Sequence, residues 1–321
     1  MHELQLSLTP KEAAVPELLK SIVAKKLNVK ESSINHIQVV KKSIDSRGKF
    51  PIVLLKVRAF VGKKPDYQYE NVFKYDNVAN GREVVVVGSG PAGLFAALRL
   101  IEYGLKPIVL ERGKEVLDRK KDIAQLNRNV ALNVESNYCF GEGGAGTFSD
   151  GKLTTGIKDP RCREVFLRFA EFGAPAEILY SATPHIGTDK LKTVVKNLRE
   201  EVIRLGGEVK FNTKLVDIIT ANGYVQGVSF ENPDGTVSDI ETDALILAIG
   251  HSARDTFELV HKKGLEITQK PFSVGTRIEH PQEHINKAQY GKLWNSPLLP
   301  AADYKLACHP KHGRGLYTFC M

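Results

Sequence analysis

Long apolar runs are missing from this chain. No stretch of about 18 apolar residues could span a bilayer, and the first residues lack the basic-then-apolar order of a signal peptide. Cysteine is scarce, since the 321 residues include four, at positions 139, 162, 308 and 320, and none forms a Cys-x-x-Cys pair. The spacing excludes a disulfide framework and a thiol redox couple, so it predicts four free thiols. These absences predict a soluble, cytoplasmic, globular protein.

Positive charge is concentrated at the start of the chain. The net charge is +8, and residues 1–80 hold 14 Lys and Arg against 8 Asp and Glu. Their apolar patterns predict a β-α-β-β domain that resembles half or more of a ferredoxin-like fold. Six cationic side chains on the predicted strands could face phosphates, although no RNA-binding sheet motif accompanies them. They are Lys41, Lys42, Arg47, Lys49, Lys56 and Arg58.

The pattern of residues 83–113, EVVVVGSGPAGLFAALRLIEYGLKPIVLERG, predicts a strand, a glycine turn, a helix and a second strand that ends at an acidic residue. Gly88 permits the tight turn, Gly90 lets backbone approach a pyrophosphate, and Gly93 lets the helix pack closely on the strand. The helix N-terminus supplies N–H groups for the phosphates. Glu111 is placed to accept hydrogen bonds from the hydroxyls of an adenosine ribose. The order predicts a dinucleotide-binding unit, for NAD or FAD.

Three stretches resemble flavoprotein motifs and favour FAD over NAD. GSGPAGLFAALRL with VLERG is similar to the first such motif. DALILAIG is predicted as a buried strand over 244–249 and is similar to the second FAD motif, while GGEVKFNTKLVDII resembles the segment that contacts adenine through its backbone. The further residues that these likenesses assign to FAD are Ser89, Pro91, Ala92, Arg112, Leu215 and Gly250.

A second glycine cluster lies in NYCFGEGGAGTFSDGKLTTG, residues 137–156. Its glycine density predicts a loop whose backbone N–H groups can approach one ligand. Such N–H groups, or a lysine, beside a flavin would favour its reduced, negatively charged ring. A flexible surface loop is the alternative interpretation. The candidate contacts are Gly143, Gly144, Thr147, Ser149 and Lys152.

The chain as a whole resembles a family of bacterial FAD-dependent oxidoreductases usually labelled NAD(FAD)-utilizing dehydrogenases. The resemblance rests on VVVVGSGPAGLFAA, VLERG, GEGGAGTFSDGKLTT, PHIGTDKL, ALILAIGHSARDTF and FSVGTRIEHPQE. It implies an α/β fold with an FAD/NAD(P)-binding Rossmann-like domain of the glutathione-reductase type. Family members continue beyond the last residue of this chain, through a segment that completes the flavin pocket. The resemblance therefore also implies that this chain is a fragment that binds FAD weakly or not at all.

Three domains are expected. They are a small basic α+β domain at 1–79, the FAD-binding domain at 80–268, and the incomplete start of a substrate domain at 269–321. Within the FAD-binding domain we predict two helices after the glycine loop, the second capped by Thr188. Four short strands separated by Asn-Gly and Pro-Asp-Gly turns then form a β-meander insertion.

The expected function is that of an FAD-dependent oxidoreductase that moves a hydride between FAD and an unidentified organic substrate. His251, after the late strand, is the best acid/base candidate. No second Gly-x-Gly-x-x-Gly follows a strand, so a separate NAD(P)H-binding domain is not expected. An electron donor such as NAD(P)H would bind elsewhere, or the substrate itself would be the donor. No metal is expected, because CHPKHG lacks the ligand spacing of zinc sites. The alternative is a flavin-containing nucleic-acid-binding or tRNA-modifying protein that uses the basic N-terminal domain.

Overall fold

The computed structural model describes residues 1–62, 73–149 and 151–318. The chain divides into two compact units. The first unit contains residues 1–70, 176–184 and 272–321, and the second contains residues 71–175 and 185–271. Cys320 lies outside the described residues, and the other three cysteines are free thiols. The domain boundaries expected at 79 and 268 stay predictions.

The first unit begins with a three-stranded antiparallel sheet in the order β1-β3-β2. Its elements are β1 (His2–Leu8), α1 (Pro10–Ala13), α2 (Pro16–Leu27), β2 (Ile34–Asp45) and β3 (Ile52–Val61). Inward side chains of the strands pack against Val23 and Ala24 of α2. Helix α2 begins at Pro16 because proline needs no hydrogen-bond acceptor in the first turn. The observed order is β-α-α-β-β, with one short helix more than the β-α-β-β pattern expected from the sequence.

The basic strands of this unit are partly neutralised. Lys56 and Arg58 both form ion pairs with Glu3, and Arg47 pairs with Asp45. A segment from the middle of the chain also covers part of β2, since Lys42 exchanges backbone hydrogen bonds with residues 180 and 182. Half of the six cations that were expected to face phosphates therefore already have carboxylate partners.

The second unit is built on a parallel sheet in the order β10-β4-β5-β6, with a three-stranded antiparallel meander, β7-β8-β9. Its elements are β4 (Glu83–Val87), α3 (Pro91–Glu102), β5 (Lys106–Leu110), α4 (Val116–Asn127), α5 (Arg161–Glu171), α6 (Thr188–Arg204), β6 (Glu208–Lys210), β7 (Lys214–Ala221), β8 (Tyr224–Glu231), β9 (Val237–Glu241), β10 (Leu245–Leu247) and α7 (Arg254–Lys262). This is the α/β fold that the sequence predicts.

Both faces of the parallel sheet are covered, which explains the unbroken apolar run of β4. Val85 and Val87 point toward the meander and pack with Leu215 and Phe230. Helix α3 packs against β4 and β5. Strands buried on both faces lose the alternation of apolar and polar residues that half-exposed strands show. The sheet thereby holds the ends of β4 and β5 in fixed positions.

Three local predictions were wrong. Strand β6 does not open the meander but pairs in parallel with β5, because a strand that follows a helix can extend the parallel sheet. The late strand β10 is shorter than 244–249 and is not buried, since it pairs only with β4 among the described strands and Leu247 is 38% exposed. Thr188 is the first residue of α6, and Gly187 occupies the N-cap position.

The last part of the first unit contains α8 (Gln282–Tyr290) and the short strands β11 (Ala307–Cys308) and β12 (Leu316–Tyr317). It bonds to the N-terminal sheet region, where the Ser46 hydroxyl donates to Gln289 Oε1 at 2.7 Å. Across the described parts of both units, no helix is long and apolar enough to cross a membrane.

A buried cation fixes the first described residues of the second unit. Arg168 of α5 is 3% exposed and donates to the Tyr75 hydroxyl at 2.6 Å. Its guanidinium also pairs with Glu102 and Glu164 and lies 3.9 Å from the Phe73 ring centroid. Burial raises the pKa of Tyr75, so its hydroxyl stays protonated. Residues 73–75 are therefore held against α3 and α5.

We expect Arg168→Met to lower the free energy of unfolding by about 3 kcal/mol, because it leaves the partly buried carboxylates of Glu102 and Glu164 without their buried cation. The surface pair Arg204–Glu201 provides the control, and Arg204→Met should change stability by less than about 1 kcal/mol. Urea unfolding of the three proteins measures both values. An equal decrease in the free energy of unfolding of the two variants would show that the buried ion pairs of Arg168 stabilise the fold no more than an exposed pair does.

Candidate functional site

The functional site lies where the parallel strands of the second unit end. Strand β4 leads into Gly88, β5 into Glu111, and β10 into residues 248–250. Because the carboxyl ends of parallel strands meet at one edge of the sheet, these three turns lie together. They border a cavity of about 730 Å³.

Ten of the sixteen residues predicted for the site line this cavity, and six do not. The lining residues are Gly88, Gly90, Pro91, Ala92, Glu111, Arg112, Gly144, Leu215, Gly250 and His251. The others are Ser89, Gly93, Gly143, Thr147, Ser149 and Lys152. The structure therefore brings the two glycine clusters and the late strand together, as their sequence interpretation requires. The roles of individual residues toward a cofactor stay predictions.

The first glycine turn is crowded by backbone. Gly88 has a φ of +103°, and a Cβ there would lie 2.4 Å from the carbonyl oxygen of Ala248. At Gly93 a Cβ would lie 1.8 Å from the carbonyl oxygen of Gly88. Both distances are shorter than any side chain tolerates, so the turn and the close approach of α3 to the sheet need glycine at these positions.

The N-terminus of α3 faces the cavity without a side-chain cap. Gly90 is the N-cap residue and makes no side-chain hydrogen bond, and Pro91 and Ala92 form the first turn. The first N–H groups of a helix lack acceptors within the helix, and the helix dipole places partial positive charge there. This end of the cavity is therefore suited to an anion such as a pyrophosphate.

The Glu111 carboxylate joins three loops. It is 4% exposed, and its Oε2 accepts hydrogen bonds from the backbone N–H and the hydroxyl of Ser89, both at 2.8 Å. Its Oε1 accepts from the N–H of Gly113 at 2.8 Å and from that of Gly141 at 3.1 Å. Two ionised oxygens offer about four acceptor positions, so the protein occupies all of them. The predicted contact of Glu111 with ribose hydroxyls would have to share these positions.

Hydrogen bonds cross-link the second glycine cluster and connect it to the first. The N–H of Gly143 donates to the Ser89 carbonyl at 2.9 Å, and the N–H of Gly144 donates to the Gly141 carbonyl at 3.0 Å. The Thr147 hydroxyl donates to the Glu142 carbonyl at 3.1 Å. The hydrogen bonds of residues 143 and 147 thus constrain the loop, and Gly141, Gly144 and Ala145 are among its residues that line the cavity.

Lys152 and Ser149 have positions that the sequence did not anticipate. Lys152 forms a backbone bridge to His185, which keeps it beside the start of α6 rather than in the cavity lining. The Ser149 hydroxyl donates to the Gly146 carbonyl at 2.6 Å and so bonds within its own loop.

Four charged side chains form a cluster beside the cavity. Arg112 makes a bidentate pair with Asp255 at 2.9 and 2.8 Å, and Lys214 lies 3.1 Å from both Asp255 and Glu135. The hydrogen bonds from Arg112 hold the pKa of Asp255 well below its usual range. The guanidinium also stacks 4.2 Å from the ring centroid of Phe140.

Sequence reasoning missed two lining residues of this region, Phe140 and Lys214. Each directly adjoins a predicted residue or loop, since Lys214 precedes Leu215 and Phe140 precedes the glycine cluster. This adjacency to predicted site residues was the only sequence signal that could have identified Phe140 and Lys214. Their contacts with Arg112 and Asp255 depend on residues more than 25 positions away, which no local pattern contains.

His251 lies between two cavities. It lines the cavity of about 730 Å³ and also a neighbouring one of about 450 Å³, together with Cys139, Phe140 and Ser252. The second cavity is bordered further by Leu126 and Tyr138. Within the described residues, no group of three or more His, Cys, Asp or Glu side chains converges in a way that could hold a metal ion.

Comparison with known proteins agrees with this geometry. The family described as pyridine nucleotide-disulphide oxidoreductase matches residues 82–257, which include the glycine turn, the meander and His251. The chain belongs to this family. Residues 271–321 of the chain match an FAD-dependent protein C-terminal domain, and residues 1–60 match a domain of unknown function. FAD is the cofactor that these family matches support.

Relatives are known at several distances. An uncharacterized protein of Clostridium beijerinckii is 46% identical over 320 residues, which cover 95% of this chain and 59% of that protein. A digeranylgeranylglycerophospholipid reductase of Methanothrix thermoacetophila is 29% identical over 175 residues, covering 52% of this chain and 39% of the reductase. The chain thus spans about three fifths of the length of its Clostridium relative.

The solved structures to which the chain is similar include that of a flavoprotein/dehydrogenase from Cytophaga hutchinsonii. It is 19% identical, aligns with a TM-score of 0.34, and covers 60% of this chain and 44% of its own. The shared region is smaller than either whole protein.

Gly93→Ala should destabilise the protein by about 3 kcal/mol or more, because the new methyl group would overlap the Gly88 carbonyl. Gly156→Ala is the matched control, since no atom lies within 4 Å of its added Cβ and its φ is ordinary. We expect that control to change stability by less than about 1 kcal/mol. Thermal unfolding followed by circular dichroism measures both effects, and equal stability of the two variants would contradict the crowding.

Glu111→Gln should lower the free energy of unfolding without any ligand by about 1 to 3 kcal/mol, because an amide N–H₂ would face backbone donors. Glu83→Gln at the start of β4 is the control, since its exposed pair with Lys106 is worth less than about 1 kcal/mol. Urea unfolding distinguishes the two. A Glu111→Gln protein as stable as wild type would mean that the carboxylate does not hold the loops together.

Proposed function

We propose that this chain forms the nucleotide-binding part of a flavin-dependent oxidoreductase that moves a hydride between FAD and an organic substrate. The supporting observation is the cavity of about 730 Å³ in which the uncapped end of α3, the late strand and the second glycine loop meet. The oxidoreductase family of the chain agrees with this activity. The identity of the substrate does not follow from either.

The residues around the cavity fit the adenosine diphosphate half of FAD. The N–H groups after Gly90 can bind its phosphates, because they carry partial positive charge and have no acceptor within the helix. Leu215 lines the cavity at the start of β7 and is the proposed backbone contact for adenine. Arg112 is held beside them by Asp255. The chemistry of these donors suits a dinucleotide rather than a metal ion.

The second glycine loop and His251 are proposed to face the reacting part of the site. Bound FAD supplies a two-electron acceptor or donor for the hydride. Gly144 and Ala145 limit the entry of water beside the end of α3, since both line the cavity and a Cβ at Gly144 would lie only 3.3 Å from Gly90 Cα. The His251 imidazole can take or give the accompanying proton, because it borders both cavities and is exposed.

Titration calorimetry with FAD and with ADP tests the proposal. Gly90 has an ordinary φ, and a Cβ there would first meet Gly144 Cα at 3.7 Å, so Gly90→Ala should leave the fold intact. Its methyl group would nevertheless occupy the space beside the helix N-terminus. We expect wild type to bind both ligands and Gly90→Ala to bind each about tenfold more weakly, a change of about 1.4 kcal/mol.

Gly156→Ala, remote from the cavity lining, should bind both ligands as wild type does. ADP is included because it tests the nucleotide half of the site separately from the flavin half. Absence of binding of both FAD and ADP to a folded wild-type chain would refute the proposal. Where FAD binds, anaerobic mixing with NADH, NADPH and a panel of organic substrates tests the hydride transfer through bleaching of the flavin absorbance. A flavin that no donor reduces would contradict the oxidoreductase activity.

A further inference from the structure

Arg119 is a buried cation whose partners are backbone carbonyls. It lies in the first turns of α4 and is 0% exposed, which makes it the largest completely buried side chain among the described residues. No carboxylate of the described part of the chain forms an ion pair with it. A buried charge without good partners is strongly unfavourable. The hydrogen bonds of Arg119 must therefore offset the cost of burying its charge, and the groups that accept them indicate the role of the residue.

All of these hydrogen bonds reach one short segment, residues 137–142. Nε donates to the Asn137 carbonyl at 2.9 Å, and Nη2 donates to the Tyr138 carbonyl at 3.2 Å. Nη1 donates to the carbonyls of Gly141 at 3.2 Å and Glu142 at 2.6 Å. A single planar guanidinium thus contacts four carbonyl oxygens and fixes their directions relative to α4.

The same segment forms part of the cavity lining. Cys139, Phe140 and Gly141 line the cavity, and so does Gly144, three residues after Gly141. Because the carbonyls of 137, 138, 141 and 142 point to Arg119, the other side of this backbone is turned toward the cavity and toward Glu111, which accepts the Gly141 N–H. Helix α4 therefore determines the position of this side of the site through one side chain.

A second set of hydrogen bonds joins the start of helix α4 to the same loop. The N–H of Val116, at the start of α4, donates to the buried Glu142 carboxylate at 2.6 Å. The N–H of Glu142 donates in turn to the Lys114 carbonyl at 3.1 Å. Burial raises the pKa of Glu142 and lowers that of Arg119 to about 10, so Arg119 remains charged at neutral pH. The helix and the loop are thus joined at both ends of the segment.

We propose that Arg119 is a positioning residue of the cofactor site, which sets the backbone of residues 137–142 for FAD binding. This inference rests on the proposed function, in which FAD occupies the cavity. Lysine should not replace it, because an ammonium group has no planar fork and cannot reach four carbonyls arranged around a guanidinium.

Arg119→Lys tests the proposal, and Arg168→Lys is the matched control. Both substitutions remove a buried guanidinium in the second unit, but Arg168 bonds to Tyr75, Glu102 and Glu164, none of which lines the cavity. We expect Arg119→Lys to weaken FAD binding by about tenfold or more and to change the visible circular dichroism of bound flavin. Arg168→Lys should lose stability yet bind FAD with wild-type affinity and spectrum.

Hydrogen–deuterium exchange supplies a readout that does not need the cofactor. The amides of residues 137–146 should exchange faster in Arg119→Lys than in wild type, while those of β4 and β5 remain protected. Unchanged exchange in this segment, together with FAD affinity within about twofold of wild type, would overturn the proposal. A folded wild-type chain that binds neither FAD nor ADP would instead refute the proposed function, and the exchange result alone would then decide whether Arg119 positions the segment.

Gly141→Ala provides a second perturbation that keeps the buried charge, for use if Arg119→Lys does not fold. A Cβ at Gly141 would lie 2.5 Å from Arg119 Cδ, so the side chain and the segment must separate. Gly264→Ala is its control, because Gly264 also has a positive φ but open space around the added atom. Weaker FAD binding in Gly141→Ala and not in Gly264→Ala supports the proposal, and equal binding in both contradicts it.

Discussion

The site depends on the hydrogen bonds of one buried carboxylate. Glu111 accepts from Ser89, Gly113 and Gly141, which belong to three loops that are separate in sequence. A carboxylate can only accept, and backbone N–H groups can only donate, so these contacts permit a single relative arrangement of the loops. The cavity exists because that arrangement leaves space between the end of α3 and the late strand.

Backbone rather than side chains forms most of the cavity near α3. Gly88 and Gly93 allow the turn, the helix and residue 248 to approach within distances that a Cβ would prevent. On the other side, Arg119 fixes the carbonyls of residues 137–142. Fixed dipoles of this kind can stabilise a charged ligand without having to reorient when it binds. The rigidity of the site and its suitability for a dinucleotide therefore have the same physical origin.

The charged cluster around Arg112 adds a different kind of constraint. Its two cations and two carboxylates come from four separate places in the chain, and they bring the meander, the loop after β5 and helix α7 together. Exposed pairs of this sort contribute little to stability individually. Their effect here is geometric, because they set the distance between Phe140 and the start of β7.

Local sequence patterns were sufficient for the α/β fold, the glycine turn and most of the segments that meet at the cavity. These features depend on residues near one another in the chain: an apolar strand, glycines at fixed spacing and an acid after the next strand. The tertiary structure alone decided that Glu111 has all its acceptor positions filled, that β6 joins the parallel sheet, and that Arg119 is buried. An arginine on a helix has the same local pattern whether it faces water or a loop, because burial depends on contacts between segments distant in sequence.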